Sequence, residues 1–397
     1  MIIIESLSSF NFEQAGEGDL YMLDSLIKDG QDYLFKNLLK QWLKHGLHPE
    51  LGYSYESLNH DWSVNPVGRI RLLTQCRQLY TFSHAYVETQ DEQWLSPLKP
   101  LFEFILTHYW IGEAWIFSLN DDLTVKDQHS DCYALAFVLL SFSYYFEATK
   151  DKRALKFIEY THQFLQQKMA CENGGFLEKF PKPKDRVRRQ NPHMHLLEGY
   201  LAAYNATNSS AYREEIKKLL NLTTAHFFDS SSNSLIEFFH YDWSVHETLG
   251  ESIEPGHHFE WVWLLHQANN IFPDQHYLDI ADSLWKKACD YGFDSKGGVY
   301  NQIHAKTGKV LDAEKRIWPI TEYLKALCAH KPENPETQKH LVSSLEFLFK
   351  HYLMKDGSWN EYLDAQNLAK SYPLPGTTSY HIFLGLIEVV RWSKAKL

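Results

Sequence analysis

The chain is poor in the residues that interrupt regular structure. Glycine (19) and proline (14) make up about 8% of 397 positions, against a usual share of roughly 12%. That shortage argues against a disordered, collagenous or turn-dense all-β chain. Cysteine is scarce too: Cys76, Cys132, Cys171, Cys289 and Cys328 are odd in number and scattered, with no CxxC or zinc spacing. Reduced thiols in a cytoplasmic protein are the expectation. Positive charge is short, 39 Lys+Arg against 50 Asp+Glu for a net −11, which argues against nucleic acid or an anionic membrane as partner. No uninterrupted apolar run reaches membrane-spanning length. The apolar start of MIIIESLSSF, ended by Glu5, is too short for a signal peptide. What the chain has in excess is rings: 24 Phe, 23 Tyr, 12 Trp and 21 His.

A short Gly/Ser/aromatic turn recurs six times: LGYSYE, EAWIFS, NGGFLE, NSLIEF, KGGVYN and DGSWNE. Its first bulky residues, Tyr53, Trp115, Phe176, Leu235, Val299 and Trp359, are 62, 61, 59, 64 and 60 residues apart. Before each turn lies a segment with apolar residues at three- and four-residue spacing, such as ALKFIEYTHQFLQQKM, which predicts a helix with one wet face. After each turn comes a more uniformly apolar segment, such as SDCYALAFVLLSFSYYF, which predicts a helix buried on most sides. Six outer and six inner helices predict an all-α, double-layered (α/α)6 barrel forming one catalytic domain over 1–397. An open solenoid is the alternative, but its repeats run shorter, at about 33–47 residues.

Charged and His side chains on buried helices need a reason, because unpaired burial is costly. They cluster near the starts of the inner helices: Arg77; Asp131 and Tyr133; Asn191, His193, His195 and Glu198; His257, His258 and Glu260; Arg316, Trp318 and Glu322; His381. In a ring, equivalent ends point to one mouth, so these residues are expected to line one cleft. His257 and Glu260 are spaced i,i+3, which puts them on one helix face and predicts a His–carboxylate pair. A core histidine held by hydrogen bonds is the plainer reading of any single His. The recurrence at equivalent places favours function. Metal binding is not expected: His193 and His195 diverge on a helix, and no HExxH or carboxylate facial triad occurs. The basic run KPKDRVRR (182–189) reads as a solvated loop, and most aromatics as inter-helix packing.

Two His residues, an Arg and flanking carboxylates suit proton abstraction beside a carbonyl, with Arg77 placed to stabilise the developing oxyanion. A glycosidase, which needs two acidic groups at a set separation, is a second reading from residue types. A non-catalytic binding protein is a third.

Six segments in order, CRQLYTFSHAY, KDQHSDCYALAFVLL, NPHMHLLEGYLAAY, EPGHHFEWVWLL, KRIWPITEYLKAL and YPLPGTTSYH, resemble the N-acylglucosamine 2-epimerase superfamily. The resemblance implies an (α/α)6 barrel and sugar isomerisation or epimerisation through a cis-enediol(ate), without metal or other cofactor. By position, His257 and His381 match the acid/base histidines, Glu260 the carboxylate paired with the first, and Arg77 the Arg near the reacting carbons. His195, Tyr133, Trp318, Glu322 and Asn191 are the expected substrate contacts. GHHFEW with RIWPITE resembles the mannose isomerases, which implies D-mannose/D-fructose, with D-lyxose/D-xylulose as a similar pair, in a monomer or homodimer. Epimerases commonly carry a Trp where this chain has Gly376, and some isomerases an Arg where it has Glu247. Both departures weigh toward a plain monosaccharide.

Overall fold

A computed structural model describes residues 17–184 and 187–396. Twelve long helices among them alternate between an outer and an inner ring. The outer helices are α1 (17–46), α3 (Leu98–Tyr109), α5 (153–169), α7 (210–227), α9 (Gln275–Tyr291) and α11 (Pro335–His351). The inner ones are α2 (Leu72–Thr89), α4 (Cys132–Thr149), α6 (Gln190–Thr207), α8 (Pro255–Asn269), α10 (Trp318–Ala329) and α12 (Ser379–Lys394). Helices α1, α5 and α7 finish in a π-helical turn (Trp42–Gly46, Leu165–Met169, Thr223–Phe227) just before the recurring turn.

The expected division of surfaces is observed. On α9 the buried positions Tyr277, Ile280, Ala281, Leu284 and Ala288 form one stripe at three- and four-residue spacing. On α4 every residue from Ala134 to Ser143 is buried. This helix is long and apolar enough to cross a bilayer, yet it is an inner stave of the barrel. Aromatic side chains fill the space between the rings: Phe102 of α3 stacks on Tyr145 of α4 at 4.1 Å. Each such pair contributes about 0.5–1.5 kcal/mol beyond its buried area.

Short antiparallel strands, which the sequence reading did not anticipate, tie successive repeats together at the mouth. Ile70–Arg71 pairs with Ser118–Leu119, Ser130–Asp131 with Lys179–Phe180, and Arg188–Arg189 with Phe238–Phe239. Ser252–Ile253 pairs with Gln302–His304, and Lys315–Arg316 with Tyr362–Leu363. The sixth pair joins the two ends of the series, Ser57 opposite Pro375 and Leu58 opposite Leu374. That pairing makes the structure a closed barrel and not an open solenoid. Strands of two residues carry no sequence period of their own, which is why they were invisible.

The apolar start, residues 1–10, and Asp185 and Arg186 of the basic run lie outside the described residues. Lys182 and Lys184 are exposed, as a solvated loop implies, but the end of the run corrects that reading. Arg188 is 2% exposed, its guanidinium lying 3.5 Å from the Trp243 ring centroid. Arg189 is paired with Glu178 at 2.8 Å.

Candidate active site

The strand ring sets the starts of the inner helices at one level, so their first turns face a common cavity of about 130 Å3. Eight of the nine expected site residues line it: Arg77, Tyr133, Asn191, His195, His257, Glu260, Trp318 and His381. Glu322 lies fully buried behind His381. The cavity also takes in Glu254, Arg316, Thr377 and Thr378.

His257 is not bonded to Glu260, contrary to the i,i+3 expectation. Its Nδ1–H donates to Glu237 Oε1 at 2.9 Å, a carboxylate from the turn before α8. Glu237 is itself fixed, its Oε2 accepting from Gln190 Nε2 at 2.8 Å, while Gln190 Oε1 accepts from Trp261 Nε1 at 2.7 Å. Burial alone would lower the His257 pKa, but the charges of Glu237 and Glu254 outweigh it and hold the imidazole up at about 10. His257 is therefore an imidazolium at neutral pH, with both ring nitrogens donors. Asn191 lies 3.4 Å from its Nε2. The buried Asn191 amide oxygen has no other partner, and turning the amide over makes it the acceptor.

His381 is held in the opposite state. Its Nδ1–H donates to Glu322 Oε1 at 2.8 Å, which leaves the Nε2 lone pair as its free function. Burial, then the positive charges of Arg77 and Lys325, push its pKa well below the usual imidazole value. Behind it, Lys325 Nζ lies 2.7 Å from Glu322 Oε2. Trp318 contacts both histidines, with ring centroids 5.0 Å from His257 and 5.7 Å from His381. Gly256 makes room for this indole: a Cβ there would fall 2.6 Å from its ring atoms.

Between the two histidines the barrel axis carries two more acids and a third histidine. His195 Nδ1–H donates to Glu198 Oε2 at 3.0 Å, the same i,i+3 spacing that fails on α8. Burial lowers the His195 pKa to about 4, with Glu198 opposing. Glu260 lies 3.8 Å from His195. Burial and then the charge of Glu322 raise its pKa well above the usual carboxylate value. Arg77 donates from Nη2 to the Tyr133 hydroxyl at 2.6 Å and from Nη1 to Thr377 O at 3.0 Å. Its guanidinium lies on the Phe137 and Tyr380 rings.

The plain structural role does hold for His193 and His258. Each donates from Nδ1 to the carbonyl four residues back and accepts at Nε2 from a turn backbone N–H, Phe176 and Leu235 respectively. Asp131 caps α4 through Ala134 N–H at 2.9 Å. His195, Glu198 and Glu260 do bring three atoms of metal-ligand type within 4.8 Å. The buried ammonium of Lys325 already supplies these carboxylates with a cation.

Glu237 and Glu254 were missed because neither lies on the helical stripe of an apolar segment. The signal for Glu237 was its place in the recurring turn. Glu56, Glu178 and Asn301 end three of the six turns and Glu237 stands next to last in a fourth. Each accepts from the backbone N–H ahead of an inner helix: Glu56 from Arg71, Glu178 from Arg189, Glu237 from Glu254 and Asn301 from Arg316. The period also marks the site residues themselves. His195 and His257 are 62 residues apart, as are Glu198 and Glu260, and Glu260 and Glu322.

The description that matches residues 52–385 is N-acylglucosamine 2-epimerase (GlcNAc 2-epimerase). The chain belongs to the N-acylglucosamine 2-epimerase family. Within it, the chain is 25% identical over 363 residues to a D-mannose isomerase of Marinomonas mediterranea, covering 86% of this chain and 92% of that one. It is 27% identical over 363 residues to a mannose-6-phosphate isomerase of Rhizobium meliloti, covering 88% and 93%. The barrel superposes on a cellobiose 2-epimerase of Spirochaeta thermophila with a TM-score of 0.86 at 22% identity, over 96% of this chain and 100% of that one. At that identity the last likeness speaks for the family barrel alone.

Proposed function

We propose that the protein is an aldose–ketose isomerase interconverting D-mannose and D-fructose, and D-lyxose and D-xylulose, through a cis-enediol(ate). The observation that carries this reading is the pair of histidines on one Trp318, each with its Nδ1 on a different buried carboxylate, Glu237 and Glu322. His257, kept cationic by Glu237, donates to the ring oxygen for opening and then to the carbonyl oxygen O1. His381, kept neutral with Nδ1 on Glu322, takes the C2 proton at Nε2 and returns it to C1. The O2 proton leaves through the hydrogen-bonded groups, so the hydrogen lost from C2–H and O2–H is regained at C1 and O1. Arg77 stabilises the charge that develops on the oxygens beside the reacting carbons. His195, Tyr133, Asn191 and Glu260 supply donors and acceptors to the remaining hydroxyls.

A 2-epimerase is the second reading, since a His on each side of the enediolate also permits return of the proton to C2. The cavity favours a single sugar. At Gly376 a Cβ would lie 2.9 Å from Thr74 Cγ2 and Tyr55 O, so there is no room for an aromatic wall there. Glu247 is exposed and paired with His240, away from the cavity. Two cations that line the cavity, Arg77 and Arg316, each have an Nε without a partner among the described residues, which makes a phosphorylated sugar worth including in the test.

The test is incubation with mannose, glucose, cellobiose or mannose 6-phosphate in D2O with EDTA, followed by NMR. Fructose from mannose with deuterium at C1 is expected. Glucose as first product turns the reading to epimerase, and fructose 6-phosphate alone moves the substrate class. Absence of exchange with every sugar overturns the enediolate, and loss of activity in EDTA restores a metal.

A further inference from the structure

The inner ring has a second opening, at the C-terminal ends of its helices. A cavity of about 370 Å3 lies there, within the range of about 300–1,000 Å3 usual for small-molecule sites. Glu198 forms part of its wall and also accepts from His195 and from Tyr380 OH, at 3.0 and 2.5 Å, so this space backs directly onto the reaction cavity.

Its charges are engaged with one another. Arg391 donates from Nε to Glu88 at 2.8 Å and from Nη1 to Glu388 at 2.9 Å, and Trp263 Nε1 donates to Glu388 Oε2 at 3.0 Å. No guanidinium is left over for an anion and no carboxylate for a cation. What is left over is neutral. The Tyr144 hydroxyl and the carboxamides of Asn205, Gln267 and Asn270 line the cavity without hydrogen-bond partners among the described residues. A carboxamide offers both donors and acceptors, as vicinal hydroxyls require, and the rings of Tyr80, Tyr144 and Trp263 supply flat apolar walls.

We infer that this rear cavity is a binding site for a neutral polyhydroxylated molecule of monosaccharide size, separate from the cavity where the sugar reacts. The inference stands on the rear lining alone and does not depend on which reaction the front cavity performs.

D-mannitol is the probe, because without a carbonyl it cannot be turned over. Its binding to the whole protein is measured by calorimetry, beside a double variant Gln267→Leu/Asn270→Leu. Neither side chain has an internal hydrogen bond to lose, so the variant is expected to fold, which its thermal melt checks. The expected result is a binding event in the wild type that weakens at least about tenfold in the variant, and mannitol density against Trp263 in soaked crystals. Equal stoichiometry and affinity in both proteins, or no binding to either, overturns the inference. Mannitol density confined to the front cavity does the same. A chain that proves inactive on every sugar leaves this measurement intact, so the two readings fail separately.

Discussion

The charge on His257 is the most exposed point of the proposed mechanism, and Glu237→Gln tests it. The carboxylate and imidazole are 2.9 Å apart atom to atom. Their charge centres, about 4 Å apart, attract by about 4 kcal/mol at an effective dielectric of about 20. At 1.36 kcal/mol per unit, that is about three pKa units. Starting from about 10, the imidazole of the variant then titrates near about 7. At pH 8 its protonated share falls from nearly all to about one in ten, so kcat/KM on mannose drops about tenfold. At pH 6 variant and wild type stay within about twofold. Stability follows the same sign. A folded pKa above the unfolded value of about 6.5 stabilises fully below pH 6.5, and the contribution is lost as pH rises through 10. Wild-type stability therefore declines between pH 7 and 10, by up to about 5 kcal/mol from this group, while the variant is nearly flat there. Glutamine keeps the shape and one acceptor, so an unfolded variant is not expected. The measurements are kcat/KM and urea unfolding across pH 6–10. An alkaline limb that coincides in the two proteins refutes the reasoning.

Four other outcomes are expected. His381→Asn abolishes deuterium exchange at C2 of mannose while the fold is kept; retained exchange removes His381 as the carbon base. Arg77→Met lowers kcat by about 10²–10³-fold, the scale of a lost oxyanion donor, as read by steady-state kinetics. Gly256→Ala drives the Trp318 indole off both histidines and lowers kcat/KM, with a displaced indole in the variant's crystal structure. Lys325→Met leaves buried carboxylates without their cation and costs about 3–5 kcal/mol in urea unfolding.

The barrel was legible because its signals are local and repeated. The dry segment around Phe137 and the striped one around Leu284 differ in period and in polar content, and each kind occurs six times. The convergence of Arg77, His195, His257 and His381 followed from the ring alone, since equivalent ends must share a mouth. Partner assignment did not. His195–Glu198 and His257–Glu260 have the same spacing, yet only the first is bonded, because a carboxylate 20 residues upstream claims the His257 nitrogen. That carboxylate arrives through the strand pairing of Arg188–Arg189 with Phe238–Phe239, which no helical period encodes. Protonation states were equally hidden: they come from summed charges along the axis, where Lys325 and three glutamates from different helices meet.

The pairing of Leu58 with Leu374 has a consequence for the order in which the chain can mature. The two residues sit more than roughly 300 positions apart, so within the barrel the contact that seals the ring waits until nearly all the other repeats have been made. Chain-closure entropy grows only as the logarithm of that span, and a sealed ring is thermodynamically accessible. What is delayed is timing: domains rich in distant contacts fold slowly. Until the helix that carries His381 emerges, the nascent barrel has one unpaired strand edge and a candidate cavity that lacks one wall. A chain released early exposes that edge as a template for association and lacks the proposed base.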